Sequence, residues 1–80
     1  MSATEPRKFR TLDVRPLIAR GEEPRDRLLA AVAALSAAEG LIVVAPFLPS
    51  PLIERLRGAG FQARPERSAD GSWRTFFWRD

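Results

Sequence analysis

The strongest constraint on the fold is a run of five apolar residues from Leu41 to Ala45, with the sequence Leu-Ile-Val-Val-Ala. A strand that is apolar on both faces is buried on both, so it needs a neighbouring strand on each side. The run is followed by Pro-Phe-Leu-Pro-Ser-Pro over residues 46–51, where the proline rings stiffen the backbone. Ser50 is expected to be the N-cap of a helix and Pro51 its first residue. The centre of the chain is therefore predicted to be a buried strand, a rigid turn and a helix.

The flanking segments predict three further strands and one further helix. Pro24 suits the first position of a helix, and Gly40 is a residue type that ends one. The predicted elements are a strand over 9–14, a loop over 15–23, a helix from Pro24 to Gly40, a strand over 41–45, a helix from Pro51 to about Gly58–Gly60, a strand over 61–67 and a strand over 73–79. Residues 1–8 are expected to be a flexible tail, and residues 9–80 a single domain.

The order β-α-β-α-β-β restricts the topology. Strands joined by helices should be parallel, and the Asp70-Gly71 pair predicts a tight turn that makes the fourth strand antiparallel to the third. Pro65 places the third strand at a sheet edge, because proline cannot donate to a strand ladder. The second strand needs two neighbours, so the expected order is 1-2-4-3. The fold class is therefore predicted to be α+β, a two-layer α/β sandwich with both helices on one face of a four-stranded mixed sheet.

The fourth strand carries large apolar groups on both faces. Trp73, Thr75 and Phe77 alternate with Arg74, Phe76 and Trp78, so one set is predicted to lie under the helices and the other on the open face. Three explanations fit apolar groups on an open face. Arginine stems could shield them, a second copy could cover them in a homodimer, or they could form a ligand-binding or base-stacking platform.

The composition excludes several kinds of chemistry. The chain has no cysteine, histidine or tyrosine. Disulfides, thiolate nucleophiles, persulfide carriage and zinc–thiolate sites are therefore excluded. Without histidine, no side chain titrates near neutrality at its ordinary pKa. A carboxylate pair from Asp13 with Glu22 or Glu23 is a weak basis for catalysis, so we expect neither an enzyme nor a bound cofactor or metal.

The formal net charge is +3, and all but one of the basic residues are arginine. Acidic residues lie between them, with no run of like charge, which is typical of a mixed solvated surface. Nucleic-acid binding is therefore not favoured. No segment reaches the roughly 20 apolar residues of a membrane span, and the start of the chain lacks a signal-peptide core. A cytoplasmic location without membrane contact is expected.

Several short motifs together resemble a known superfamily. They are Leu12-Asp13-Val14-Arg15, Glu23-Pro24, Phe47-Leu48-Pro49-Ser50-Pro51-Leu52, Gly60-Phe61, Gly71-Ser72-Trp73 and Phe77-Trp78-Arg79. Over about residues 9–79 the chain is similar to the TusA/SirA-like sulfur carriers, and within them to the cysteine-less branch known as domain of unknown function 2249. The resemblance implies the same two-layer β-α-β-α-β-β fold.

The resemblance also implies where the chemistry differs. Sulfur carriers of this superfamily hold a Cys-Pro pair at the start of the first helix, where the helix dipole stabilises a thiolate. Here Glu23 precedes Pro24 in the place of that cysteine. A carboxylate cannot carry sulfane sulfur, so sulfur transfer is not expected. Glu23 could equally serve only to stabilise the helix start, a contribution of about 0.3–1 kcal/mol.

Three loops should meet at one end of the sheet, over residues 15–23, 46–50 and 68–72. The carboxyl ends of parallel strands are where ligands bind in such sheets, and helix N-termini favour anions. Arg15 and Arg20, with Arg67 or Arg74, could form a rim for a small anion. The candidate binding residues are Asp13, Arg15, Glu23, Pro24, Phe47, Pro49, Trp73 and Arg74.

Some of these residues also have purely structural interpretations. Asp13 and Arg15 could form an ion pair at the end of a strand, and such exposed pairs contribute little to stability. The prolines could only stiffen the turn. Phe47 could be either a core residue or a contact residue.

Three functional hypotheses remain from the sequence. The first is a non-catalytic protein-interaction or adaptor module, which docks or self-associates through the open sheet face or the proline turn. The second is a binder of a small anion or nucleotide at the helix N-termini. The third, by fold analogy, is RNA binding.

Overall fold

Four strands and three helices follow one another in the computed structural model, which describes residues 8–79. The elements are β1 (Lys8–Asp13), α1 (Arg15–Ala19), α2 (Arg25–Ala33), β2 (Glu39–Ala45), α3 (Ser50–Gly58), β3 (Gln62–Arg67) and β4 (Trp73–Trp78). The predicted tail over residues 1–8 lies outside the described residues, apart from Lys8, which is the first residue of β1.

The four strands form one sheet with the predicted order β1-β2-β4-β3. β1 is parallel to β2, and β4 is antiparallel to both of its neighbours. The apolar run of β2 therefore has a strand on each side, as its composition demands. Pro65 lies in β3 at the sheet edge, where a residue without a backbone donor is tolerated.

The core lies between the helices and one face of the sheet. Leu41 of β2 is paired with Phe77 of β4, so their side chains share that face. The buried apolar residues of the cluster are Val14, Leu17, Leu28, Leu41, Val43, Ala45, Ile53, Leu56, Phe61 and Phe77. Full burial of a leucine- or phenylalanine-sized side chain contributes about 1.5–3 kcal/mol relative to its exposure, so this layer dominates the stability. The predicted split of β4 is confirmed, with Phe76 on the opposite face from Phe77.

The segment predicted as a loop over 15–23 contains the helix α1, so residues 8–79 form three helices and not the predicted two. Pro16 near the first turn of α1 is compatible with a helix start, because its missing donor would be unpaired there anyway. Leu17 is buried in the core and holds the segment against the sheet. Gly21 then adopts a positive φ of 76°, which ends the helix at low cost. Burial of Leu17 in the core holds this segment as a helix, and the local sequence pattern does not indicate that burial.

Gly40 does not end the second helix, contrary to the prediction. α2 stops at Ala33, and Gly40 lies inside β2. A Cβ atom at Gly40 would lie 2.5 Å from the Phe9 ring and 2.6 Å from the carbonyl oxygen of Phe77. The glycine is therefore required by a close approach across the sheet.

The N-termini of the two longer helices differ from the prediction by one residue. Pro24 and Pro49 occupy the N-cap positions, so α2 begins at Arg25 and α3 at Ser50. The Ser50 side chain does not cap α3. The proline carbonyls accept the first helical hydrogen bonds, from Leu28 at 2.9 Å and from Ile53 at 3.0 Å. Within residues 8–79, no helix is long and apolar enough to cross a membrane.

Candidate functional site

A groove of about 440 Å³ lies between α2 and α3, at the end of the sheet where β2 leads into the proline turn. One wall is formed by the start of α2 and the two residues before it, namely Glu23, Pro24, Arg25, Leu28 and Leu29. Side chains four positions apart lie on the same side of a helix. The pairs Pro24–Leu28 and Arg25–Leu29 therefore form two adjacent rows along this wall.

The opposite wall comes from the proline turn and α3. It consists of Phe47, Pro49, Pro51, Leu52 and Arg55, while Ile18 of α1 completes the lining. The same spacing of four places Pro51 and Arg55 on one side of α3. The volume falls within the roughly 300–1,000 Å³ of clefts that bind small molecules.

The proline turn projects large apolar side chains into solvent beside the groove. Phe47 is 52% exposed and Leu48 is 39% exposed, and they are the two large hydrophobic residues classed as exposed within residues 8–79. The three prolines of this segment restrict the unfolded chain, so the turn is held in one conformation at reduced entropic cost. Phe47 is therefore a surface residue at the groove, so the core role that the sequence allowed is wrong and the contact role stays a prediction.

The groove carries more positive than negative charge. Arg25 and Arg55 contribute one guanidinium from each wall, and Glu23 contributes the single carboxylate. Among the residues that the structure describes, neither of these arginines forms an ion pair. An apolar group can thus be bound between the walls with two cationic side chains close to it.

A second group of charged residues ties β1 to the β3–β4 hairpin. Arg15 donates to both carboxylate oxygens of Asp13, at 2.9 and 2.7 Å, and to Asp70 at 3.3 Å. Asp70 also accepts hydrogen bonds from the amide and the hydroxyl of Ser72, at 3.0 and 2.6 Å. This ion pair at the strand end agrees with the structural interpretation of Asp13 and Arg15.

The hydrogen bonds of this network shift the pKa values of both carboxyl groups. The Arg15 side chain, the largest cause, lowers the pKa of Asp13 below its ordinary value. The Ser72 hydroxyl and amide lower the pKa of Asp70. In turn, Asp13 raises the pKa of Arg15. These charges satisfy one another, so the network is a structural clamp.

The predicted anion rim is not assembled. Arg20 is paired with Glu22 at 3.0 Å and lowers the pKa of that carboxyl group. Arg67 lies 5.9 Å from the centre of the Trp73 ring, and Arg74 lies 5.6 Å from the centre of the Phe76 ring. Arg25 and Arg55 of the groove form no ion pair within residues 8–79, and the sequence analysis did not single them out.

The structure brings together half of the predicted site residues. The four that line the groove are Glu23, Pro24, Phe47 and Pro49. Asp13 and Arg15 lie in the neighbouring clamp, whereas Trp73 and Arg74 project from opposite sides of β4 and do not line the groove. The sequence analysis did not identify Arg25 and Arg55. Each follows a proline near the start of a helix, Arg25 by one residue and Arg55 by one helical turn. That spacing was the signal in the sequence that could have identified them.

The open face of the sheet is partly covered by its own side chains. Phe9 lies over Gly40 and packs edge-on against Phe76, with ring centres 5.5 Å apart and an interplanar angle of 82°. The Arg74 guanidinium lies over the same Phe76 ring. Ile42 and Phe76 are consequently half-buried and not fully exposed. This arrangement agrees with the shielding that the sequence analysis considered for this face.

Within residues 8–79, no three carboxylates come close enough together to hold a metal ion. The groove has one carboxylate, two guanidinium groups and otherwise apolar or proline side chains. Its chemistry is suited to binding an apolar group and an adjacent anion.

Comparison with protein families identifies a match over most of the chain. The model of the uncharacterized conserved protein family DUF2249 matches residues 11–79, which includes every described helix and all strands except the first residues of β1. No curated protein and no solved structure matches the chain. Since the match covers most of the sequence, the chain belongs to the DUF2249 family of uncharacterized conserved proteins.

Proposed function

We propose that this domain is a non-catalytic protein-interaction module that docks on its partner through the groove between α2 and α3. The single observation that carries the proposal is an apolar groove bordered by Phe47, which is 52% exposed in a proline-stiffened turn. Exposed apolar groups around a cleft mark interaction surfaces. Stiffening such a surface before binding lowers the entropic cost of association.

The groove is a better docking surface than the open sheet face. Phe9 and Arg74 already contact Phe76 on the open face, so its apolar area is shielded within the domain. At the groove, Phe47 and Leu48 extend away from the core. A partner that covers them removes apolar surface from water without first displacing other side chains.

The proposal includes kinship with the TusA/SirA-like sulfur carriers, as a branch that has lost their chemistry. The support is the Glu23-Pro24 pair at the start of α2 and the 1-2-4-3 sheet. The sequence has no cysteine to carry sulfur. On this proposal, the position that carries sulfur in those proteins serves here to contact a protein partner. The proposal also places the protein in the cytoplasm, as expected from the sequence.

Site-specific photo-crosslinking tests the proposal. A benzophenone amino acid is introduced in place of Phe47, in place of Arg57 on the exposed side of α3, or in place of Ile42 on the open face. We expect a discrete crosslinked partner in extracts of the native cells from position 47 alone, and its loss when Leu52→Gln is added. A partner captured only from position 42 would reject the groove and favour the open face. Purified protein that crosslinks to itself from position 42 would indicate a homodimer.

A small anionic ligand is the second candidate, favoured by the presence of Arg25 and Arg55 in the groove. Ligands that bind only the folded state raise its melting temperature. Phosphate, nucleotides and short carboxylates at millimolar concentration are therefore expected to raise the melting temperature if this candidate is correct, and to raise it less in Arg55→Gln than in Arg57→Gln. No rise with any of them would remove the candidate.

A further inference from the structure

The groove also indicates the chemistry of its partner. We infer that it binds a short segment of another protein in which an apolar side chain is flanked on both sides by acidic residues. This inference rests on the proposed interaction function and specifies the partner class.

The first argument is charge complementarity. Arg25 lies on the α2 wall and Arg55 on the α3 wall, so an apolar anchor between the walls has a guanidinium on either side. Neither arginine has a carboxylate partner among residues 8–79, in contrast to Arg15 and Arg20. The neighbouring acids Asp26 and Glu54 do not belong to the described lining. Carboxylates on both sides of the anchor would supply the missing partners.

The second argument separates a protein segment from a small molecule. Phe47 lines the groove, and Leu48, the next residue, is exposed beyond it. A molecule confined to the groove would leave Leu48 uncovered, whereas a chain that continues past the groove would cover both side chains. The apolar surface therefore has the extent of an extended segment with one anchor in the groove.

Glu23 sets the direction of the selectivity. It is the one acidic residue of the lining, and it lies on the same wall as Arg25. Two guanidinium groups against one carboxylate leave an excess of one positive charge. An acidic segment is attracted by this excess, and a basic segment is repelled.

An NMR titration of the isotope-labelled full chain tests the inference with three blocked hexapeptides. Each peptide has the same central Leu-Phe pair, flanked by two glutamates, two glutamines or two lysines on each side. We expect the glutamate peptide to shift the amide signals of Leu28, Leu29 and Leu52, and to bind about fivefold more tightly than the lysine peptide, as expected from exposed charge pairs. Raising the ionic strength to about 1 M, where the Debye length is near 3 Å, should remove most of that difference.

Matched variants locate the charges. Arg55→Gln should weaken binding of the glutamate peptide about two- to fivefold and leave the glutamine peptide unchanged. Arg57→Gln makes the same charge change on the same helix outside the groove, so it should have little effect. Glu23→Gln should strengthen binding of the glutamate peptide. All three residues are exposed, so the variants are expected to fold.

Three outcomes would overturn the inference. Equal binding of the glutamate and lysine peptides would remove the charge preference, and equal effects of Arg55→Gln and Arg57→Gln would remove the assignment to the groove. Free hexanoate that shifts the same amides at the same concentration as the glutamate peptide would point to a small ligand. The interaction function fails separately, through the absence of crosslinks from position 47.

Discussion

The two faces of the sheet hold their apolar residues in different ways. On the helix-covered face, Leu41, Val43 and Phe77 are 0–1% exposed and are packed on all sides. On the open face, Phe76 is half-buried by one ring and one guanidinium group. The first arrangement excludes water almost completely from these side chains, and the second leaves part of Phe76 accessible to it. The docking surface proposed above lies elsewhere, at the end of the sheet where neither arrangement covers Phe47.

The largest expected change in stability comes from substituting one of two adjacent phenylalanines, which lie on opposite faces of the sheet. Phe77→Ala should destabilise the fold by about 3–5 kcal/mol, because it opens a cavity in the closed layer. Phe76→Ala removes an edge-on ring contact worth about 0.5–1.5 kcal/mol and part of the buried area, so its cost should be less than half as large. Urea unfolding measures both. Equal costs would show that the open face contributes to stability as the core does.

The glycine under Phe9 gives the next largest effect. Gly40→Ala places a methyl group against the Phe9 ring and the Phe77 carbonyl oxygen, and should destabilise by about 1–3 kcal/mol. Adding Phe9→Ala should recover only part of this loss, because the backbone carbonyl remains in the way. Thermal unfolding of the single and double variants checks this. Complete recovery would mean that the ring alone requires a glycine there.

The helix-covered face contains a buried hydroxyl group that can be removed by substitution. Thr75 is fully buried, and within the described structure its hydroxyl has no hydrogen-bond partner. Thr75→Val keeps the shape and removes the unpaired group, so it should stabilise by about 1 kcal/mol. Thr75→Ser, which keeps the hydroxyl and loses the methyl group, should destabilise. A loss of stability in the valine variant would show that the hydroxyl is paired in solution.

The smallest expected effect concerns the structural clamp formed by Asp13, Arg15 and Asp70. The pKa values of Asp13 and Asp70 are lowered in the folded state, so the folded protein holds these protons less tightly than the unfolded chain. The stabilisation that Asp13 and Asp70 contribute is present above the ordinary carboxyl pKa of 3.8. It is lost as the pH falls through their lower pKa values in the folded state. Arg15→Gln should reduce this loss of stability below about pH 4 without abolishing it, because Ser72 still bonds to Asp70. An unchanged pH profile would exclude Arg15 as the main cause.

The sheet was predictable because each strand carries its own evidence. The two-sided apolar run of β2 and Pro65 of β3 together determine the strand order through simple rules of hydrogen bonding. The helix α1 was missed because its five residues lack a helical pattern, and only the burial of Leu17 holds it in place. Gly40 was misassigned because a sequence alone does not distinguish a glycine that ends a helix from one that leaves space for an aromatic ring in a sheet.

The candidate site was predictable in place but only partly in content. The proline turn and the Glu23-Pro24 pair pointed to the end of the sheet where the groove lies. Which arginines lack partners depends on side-chain pairing across 55 residues, as for Arg15 with Asp70, and no local pattern records it. Arg25 and Arg55 are distinguished by two facts together, their place in the groove lining and the lack of an ion pair within residues 8–79.

The sheet register places both ends of the described chain beside the same end of β2. Lys8 is paired with Glu39, and Phe77, one residue before the end of β4, is paired with Leu41. Strands are spaced about 4.8 Å apart, so the two ends are separated by roughly two strand widths. A short linker could join them, and the domain could be circularly permuted or inserted into a loop of a host protein. Both attachments would lie at the opposite pole from the groove and would leave it open to a partner.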